Sequence, residues 1–104
     1  MFGFGKKIDA DAIVAEVLNH QALLIDVRGN DEWDSGHAKE ALHLSLDRIM
    51  SGQLPTVDTS KKIYLYCASG GRASMAESYL KNKGFTAENL GGLRDWKSAG
   101  GVVE

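Results

Sequence analysis

Lys62-Ile63-Tyr64-Leu65-Tyr66-Cys67, followed at once by Ala68-Ser69-Gly70-Gly71-Arg72, is the stretch whose reading decides the fold. The first six residues are rich in aromatic and β-branched side chains, which suit a pleated, covered strand. The glycines then break that strand. Ala73, Ala76, Tyr79 and Leu80 recur at helical spacing, and Gly84 stands where a C-terminal cap belongs. A strand feeding a helix through a glycine-rich turn is one unit of an α/β sheet.

Upstream, Asp9 or Asp11 can cap a helix whose apolar face holds Ile13, Val14, Val17 and Leu18. Ala22-Leu23-Leu24-Ile25-Asp26-Val27 is short and almost unbroken in its apolarity, as expected of a strand covered on both faces. Residues 30–36 are polar and read as a short helical turn or loop. Ala41-Leu42-His43-Leu44 is a brief apolar piece, and Ser45 opens a short helix around Leu46 and Ile49-Met50. Residues 52–60 hold the sole proline, Pro55, and form the clearest loop. A short strand near Ala87–Leu90, the pair Gly91-Gly92 and a last helix through Trp96 complete the pattern. Alternating strands and helices predict a three-layer α/β sandwich around a mainly parallel sheet.

The 104 residues suit a single domain, residues 1–104, with one core. Apolar residues make up 43% and charged residues 25%, which is a globular rather than a disordered mix. A formal net charge of −2 argues against nucleic acid or anionic membrane as a partner. No apolar run approaches the roughly 20 residues that span a bilayer. The opening Met1-Phe2-Gly3-Phe4-Gly5-Lys6-Lys7 lacks the order of a secretory signal, so a cytoplasmic location is expected. A single cysteine forms no internal disulfide and fits a reducing compartment.

In open α/β sheets ligands bind where strands end and the next helix begins, and Cys67 stands there. Gly70 and Gly71 let the loop curl so that its amides face inward as an anion-binding concavity. The helix start adds roughly half a positive charge, and Arg72 adds a full one. All three favour thiolate over thiol, which makes Cys67 a nucleophile. A cysteine chosen at random in a strand is more often small apolar filler. The glycines, arginine and helix start that follow Cys67 reverse that weighting. The candidate site is therefore Cys67 with Ala68, Ser69, Gly70, Gly71 and Arg72 around a bound anion. Ser69 and Ser74 are candidates for further hydrogen bonds there.

Cys67–Ser74 resembles the six-residue active-site loop of the single-domain rhodanese family. Ile25-Asp26-Val27-Arg28, with Glu32-Trp33 and Gly36-His37, resembles that family's N-terminal signature. Leu90-Gly91-Gly92-Leu93 through Trp96 and Gly100 resembles its C-terminal one. The likeness covers nearly the whole chain. It implies a five-stranded parallel sheet flanked by helices, and transfer of sulfane sulfur from thiosulfate or a similar anionic donor to a thiophilic acceptor. That acceptor would be cyanide, a small thiol or a carrier protein. No cofactor or metal takes part in the implied scheme, and a monomer is expected. Two departures stand out: Ala38-Lys39-Glu40-Ala41 follows His37 where relatives often have Ile-Pro-Gly-Ala, and Ala68 and Ser69 are uncharged where many relatives are basic. Fewer positive charges imply weaker attraction for thiosulfate.

Four residues near the site carry structural expectations: an Arg28–Glu32 ion pair, Asp26 tying loop backbone together, and His37 bonding neighbouring loops. His20 and His43 have no partners at metal-ligand spacing. Gly91-Gly92 lacks a full glycine fingerprint and reads as a tight strand-to-helix passage. Trp33 and Trp96 read as packing residues. Two rival functions remain. Cysteine phosphatases and arsenate reductases of related fold use Cys-x5-Arg, one residue longer than Cys67 to Arg72. A non-catalytic rhodanese-like binding module would usually lack the cysteine.

Overall fold

The computed structural model describes residues 7–104. All of the opening stretch read for a signal, except Lys7, lies outside the described residues. Nine elements follow in order: α1 (Ala10–Leu18), β1 (Ala22–Asp26), α2 (Asn30–Asp34), β2 (Leu42–His43), α3 (Leu46–Met50), β3 (Lys62–Cys67), α4 (Gly71–Asn82), β4 (Thr86–Gly92) and α5 (Leu93–Ser98). The four strands form one parallel sheet in the order β2-β1-β3-β4.

Period-two alternation along β3 sorts its side chains to two faces. Ile63, Leu65 and Cys67 join Ile25 and Val27, and are covered by Ile49 of α3 and by Ala73, Ala76 and Leu80 of α4. Tyr64 and Tyr66 point the other way, with Leu24 and Leu90, and are covered by Ala10 and Ile13 of α1 and by Trp96 of α5. Helices therefore lie on both faces, and the expected three-layer α/β sandwich is present. Leu18, predicted on the buried face of α1, is exposed at its last turn. Asp9, the first of the two candidates, caps α1 by accepting the Ala12 amide at 3.1 Å. Ser45 does the same for α3 through Arg48 N–H at 3.3 Å.

The strand count needs correction. Among the described residues the sheet has four strands where family resemblance implied five. The only further pairing among the described residues is an isolated antiparallel bridge between Ala38 and Val103. His37 and Glu104 exchange backbone bonds there at 3.0 and 2.8 Å, and Lys39 N–H donates to Val102 O at 2.9 Å. The segment after His37 thus ties the C-terminal residues to the α2 loop instead of extending the sheet. Ala38 is fully buried, and its amide donates to the Tyr66 hydroxyl at 2.9 Å, which fixes the turn.

The β3–β4 register slips beside Cys67. Leu65 pairs with Asn89 but Cys67 with Gly92, so β4 carries one extra residue there. Such bulges bend a strand and re-aim its neighbours. Among the described residues no helix is long and apolar enough to cross a membrane.

Candidate functional site

The site grows from the parallel ends of β1 and β3. Val27 N–H donates to Tyr66 O at 3.0 Å, so the loop after β1 leaves the sheet beside the loop after β3. Cys67 ends β3 with its side chain turned toward α3 and α4. It is 1% exposed and packs with apolar neighbours, deeper than a pocket-lining position would be. Ala68, Ser69 and Gly71 are exposed above it and Gly70 is half-buried. The sulfur therefore lies under its loop, not at an open rim, because strand alternation points it into the helix-covered face.

Among the described residues one hydrogen-bond donor reaches that sulfur: Gly70 N–H donates to Cys67 Sγ at 3.0 Å. Gly70 adopts φ +106°, a left-handed conformation that L side chains rarely take, as it caps the N-terminus of α4. Its carbonyl is held from two sides, by Ser74 N–H at 2.9 Å and by Asn89 Nδ2 at 3.0 Å. Asn89 is itself fixed, since its Oδ1 accepts Gly91 N–H at 2.7 Å and its own amide donates to Glu77 Oε2 at 3.1 Å. Asn89 and Glu77 had no signal in the sequence, because the loop they brace lies far from them along the chain. Gly92 supports the loop from behind: a β-carbon there would run into the Ala68 carbonyl. Gly71, expected to help the loop curl, has no positive φ, and its place would admit a β-carbon.

The charged residues pair differently from the expectation. Arg28 binds Asp26, not Glu32: its Nε lies 3.0 Å from both carboxylate oxygens and its Nη2 2.7 Å from Oδ2. Asp26 also accepts the Arg28 amide at 2.8 Å, and Arg28 Nη2 donates to Gly36 O at 2.6 Å. Burial opposes the Arg28 charge, but the hydrogen bonds and charge of Asp26 outweigh it and raise the guanidinium pKa. Tyr66 lies against this pair, with the Arg28 guanidinium 5.7 Å from its ring centre, and burial raises its phenol pKa.

Glu32 instead takes Arg72, forty positions on. Arg72 Nη1 and Nη2 donate to Glu32 Oε1 and Oε2 at 2.7 and 2.8 Å. Glu32 Oε1 also accepts Gly29 N–H at 3.1 Å, closing the first turn of α2. Glu32 thus bonds both its own helix start and the first turn of α4, with no hydrogen bond to Arg28. The Arg72 hydrogen bonds, helped by Gly29 N–H and both arginine charges, outweigh desolvation and push the Glu32 pKa down to about 2. The same bonds raise the pKa of Arg72.

His37 bonds neighbouring segments, as expected. Its Nδ1 meets Trp33 O at 3.0 Å, and its ring stacks on the Trp33 indole with centroids 3.5 Å apart. His43 stacks on Trp33 at 4.9 Å, and its Nε2 meets Arg28 O at 2.7 Å. No cluster of three or more metal-ligating side chains occurs among the described residues.

A protein-family model described as a rhodanese-like domain matches residues 9–99. The chain belongs to the rhodanese-like family. It is 31% identical over 106 residues to a tRNA uridine(34) hydroxylase of Escherichia coli O1:K1, covering 96% of this chain. The chain spans 28% of that relative's length. A crystal structure of a protein from Anabaena sp. superimposes with a TM-score of 0.75 at 26% identity, over 89% of this chain and 77% of that one. A rhodanese-like domain from Anabaena sp. is 31% identical with a TM-score of 0.67, over 80% of this chain and 98% of that one. Within this rhodanese-like fold, Cys67, Gly70, Arg72 and Glu32 meet at one end of the sheet. Asp26 and Arg28 form a separate buried pair beside them, and His37 faces the C-terminal residues.

Proposed function

We propose that this rhodanese-like domain transfers sulfane sulfur through a persulfide on Cys67. The observation that carries the reading is the Gly70 amide aimed at Sγ at 3.0 Å from the mouth of α4. A cysteine serving only as filler has no need of a donor held by a left-handed glycine and an asparagine brace. That donor and the helix end stand where the negative charge of an arriving sulfur anion or a bound persulfide would sit.

In the proposed cycle the Cys67 thiolate attacks the outer sulfur of thiosulfate or a similar anionic donor. A new S–S bond forms, the donor's own S–S bond breaks, and sulfite or its equivalent leaves with the electron pair. A thiophilic acceptor, such as cyanide, a small thiol or a carrier protein, then attacks the terminal sulfur and returns the thiolate. Cys67 is the chain's only cysteine, so the acceptor comes from outside. Residues 68–72 bind the donor. No cofactor or metal enters this scheme, and a reducing cytoplasm suits its free thiolate.

The test is intact mass after exposure to donor. Wild type should gain one sulfur atom, lose it to cyanide, and fail to gain it as Cys67→Ser. Aryl phosphate should stay intact, because four residues between Cys67 and Arg72 form a tighter ring than a phosphatase loop. Hydrolysis of a phosphate ester that disappears in Cys67→Ser would overturn the proposal. The likeness to a tRNA uridine(34) hydroxylase across 96% of this chain favours a second reading, a module serving tRNA modification. Uridine hydroxylation by this chain without persulfide formation would select it.

A further inference from the structure

The loop over Cys67 is short of free positive charge. Thiosulfate carries two negative charges and must approach a thiolate, so its attack needs cations whose N–H groups are available. Ala68 and Ser69 supply none. Arg72 is the loop's nearest cation, yet each terminal nitrogen already gives one N–H to the Glu32 carboxylate, at 2.7 and 2.8 Å, so that carboxylate balances its charge. Arg28, on the neighbouring loop, is spent on Asp26 and Gly36 O and is 5% exposed. The Glu32 carboxylate is anchored as well, since Gly29 N–H holds Oε1 at 3.1 Å. Its side chain and that of Arg72 are each 38% exposed, so an arriving donor meets a neutral pair and not a bare guanidinium.

We infer that Glu32 sets donor selectivity: by occupying Arg72, it disfavours the thiosulfate dianion and leaves an organic persulfide as the preferred sulfur donor. This deepens the sulfurtransferase reading and rests on it. The step balances without redox co-reactants. The Cys67 thiolate attacks the terminal sulfur of R–S–SH, the donor S–S bond breaks, and R–S⁻ departs with the electron pair. The transferred sulfur keeps its proton or releases it to water. The leaving thiolate carries one charge where sulfite carries two, so it needs no free arginine. Glu32 acts through Arg72 and is a positioning residue.

The experiment measures single-turnover loading of Cys67 by mass, with thiosulfate and with a glutathione-type persulfide as separate donors, for wild type and Glu32→Gln. Wild type should load faster from the persulfide at equal concentration. Glu32→Gln removes the charge with little change of shape. It should raise the thiosulfate-to-persulfide ratio of kcat/KM by about tenfold or more, mainly through a lower thiosulfate KM, as one released charged hydrogen-bonding group would. Glu32→Asp, which keeps the charge, should restore part of the wild-type ratio. A purely structural role lowers both donors by one factor and leaves the ratio unchanged, which would overturn the inference. Wild-type preference for thiosulfate would overturn it too, and needs no folded variant. Loading by neither donor would remove the sulfurtransferase reading and the inference together.

Discussion

Two arginine–carboxylate pairs lie side by side at the carboxyl ends of the strands, built from the same chemistry and different in every other respect. Arg28–Asp26 joins residues two apart, and its members are 5% and 0% exposed. Arg72–Glu32 joins the first turns of α2 and α4, forty residues apart, with 38% of each side chain exposed. The first has partners sealed around it: the Arg28 amide and Gly36 O from the backbone, and the Tyr66 ring from a side chain. The second has one backbone partner, Gly29 N–H, and otherwise faces the exposed loop over the sulfur. Burial decides what each pair is for. A sealed pair fixes the frame and tolerates no change, whereas an open pair contributes little to stability and can respond to an arriving charge.

The sharpest way to break this contrast is to remove one partner from the sealed pair. Asp26→Ala leaves the Arg28 guanidinium buried without a counter-charge, and it releases the Arg28 amide. A loss of about 3–5 kcal/mol is expected, read as a fall in the urea midpoint or melting temperature. A loss below about 1 kcal/mol would mean that water already reaches this pair, and the two pairs would then be alike.

The pairing itself was not legible in the sequence, and the reason is geometric. Arg28 and Glu32 are four apart, the spacing of neighbours on a helix face, so an ion pair between them was the natural expectation. Arg28, however, precedes the Gly29 cap and stands outside the helix, while Glu32 curls back to bond that cap. Elements were easier to read. The apolar runs of β1 and β3, the Ala73-Ala76-Leu80 face of α4 and the Asp9 and Ser45 caps are local patterns, and all reappear in the structure. The position of Cys67 at the end of β3, under a loop that enters α4, followed from the same local cues. Its near-complete burial did not, because that depends on which face of the sheet α3 and α4 cover. Asn89 was invisible for a similar reason: its bond to Gly70 O spans nineteen positions. The fifth strand came from the resemblance alone, with no run of residues assigned to it, and among the described residues none appears.

A middle-sized effect is expected on the open side of the comparison. Gly70→Ala forces a side chain into φ +106° and sets its β-carbon 3.3 Å from Gly91 Cα. A stability loss of about 1–2 kcal/mol follows from the backbone term. The larger consequence is chemical, because relaxing that conformation turns the amide from Sγ. The rate of sulfur loading should fall well beyond what the lost stability explains. Unchanged loading would show that the Gly70 donor is dispensable and would weaken the contrast between a frame pair and a working loop.

The smallest effect concerns the open pair's own contribution to stability, and its sign can be worked out. Glu32 has its pKa lowered from 4.5 to about 2 in the folded chain, first by the Arg72 hydrogen bonds. A depressed carboxyl pKa stabilises the fold above the unfolded value and loses that contribution as pH falls toward the folded one. Wild type should therefore exceed Glu32→Gln in stability at neutral pH and converge with it between about pH 4.5 and 2. With 38% of each side chain exposed, solvent screening holds the neutral-pH difference to about 1 kcal/mol or less. Raising the salt from about 0.1 to 1 M shortens the screening length from about 10 to 3 Å and should shrink it further. The measurement is a urea titration of both proteins across that pH range at two salt concentrations. A difference that persisted at high salt would place Arg72–Glu32 among sealed pairs. A donor would then find the guanidinium locked and not merely balanced, because a pair that ignores dissolved ions would ignore a dissolved dianion as well.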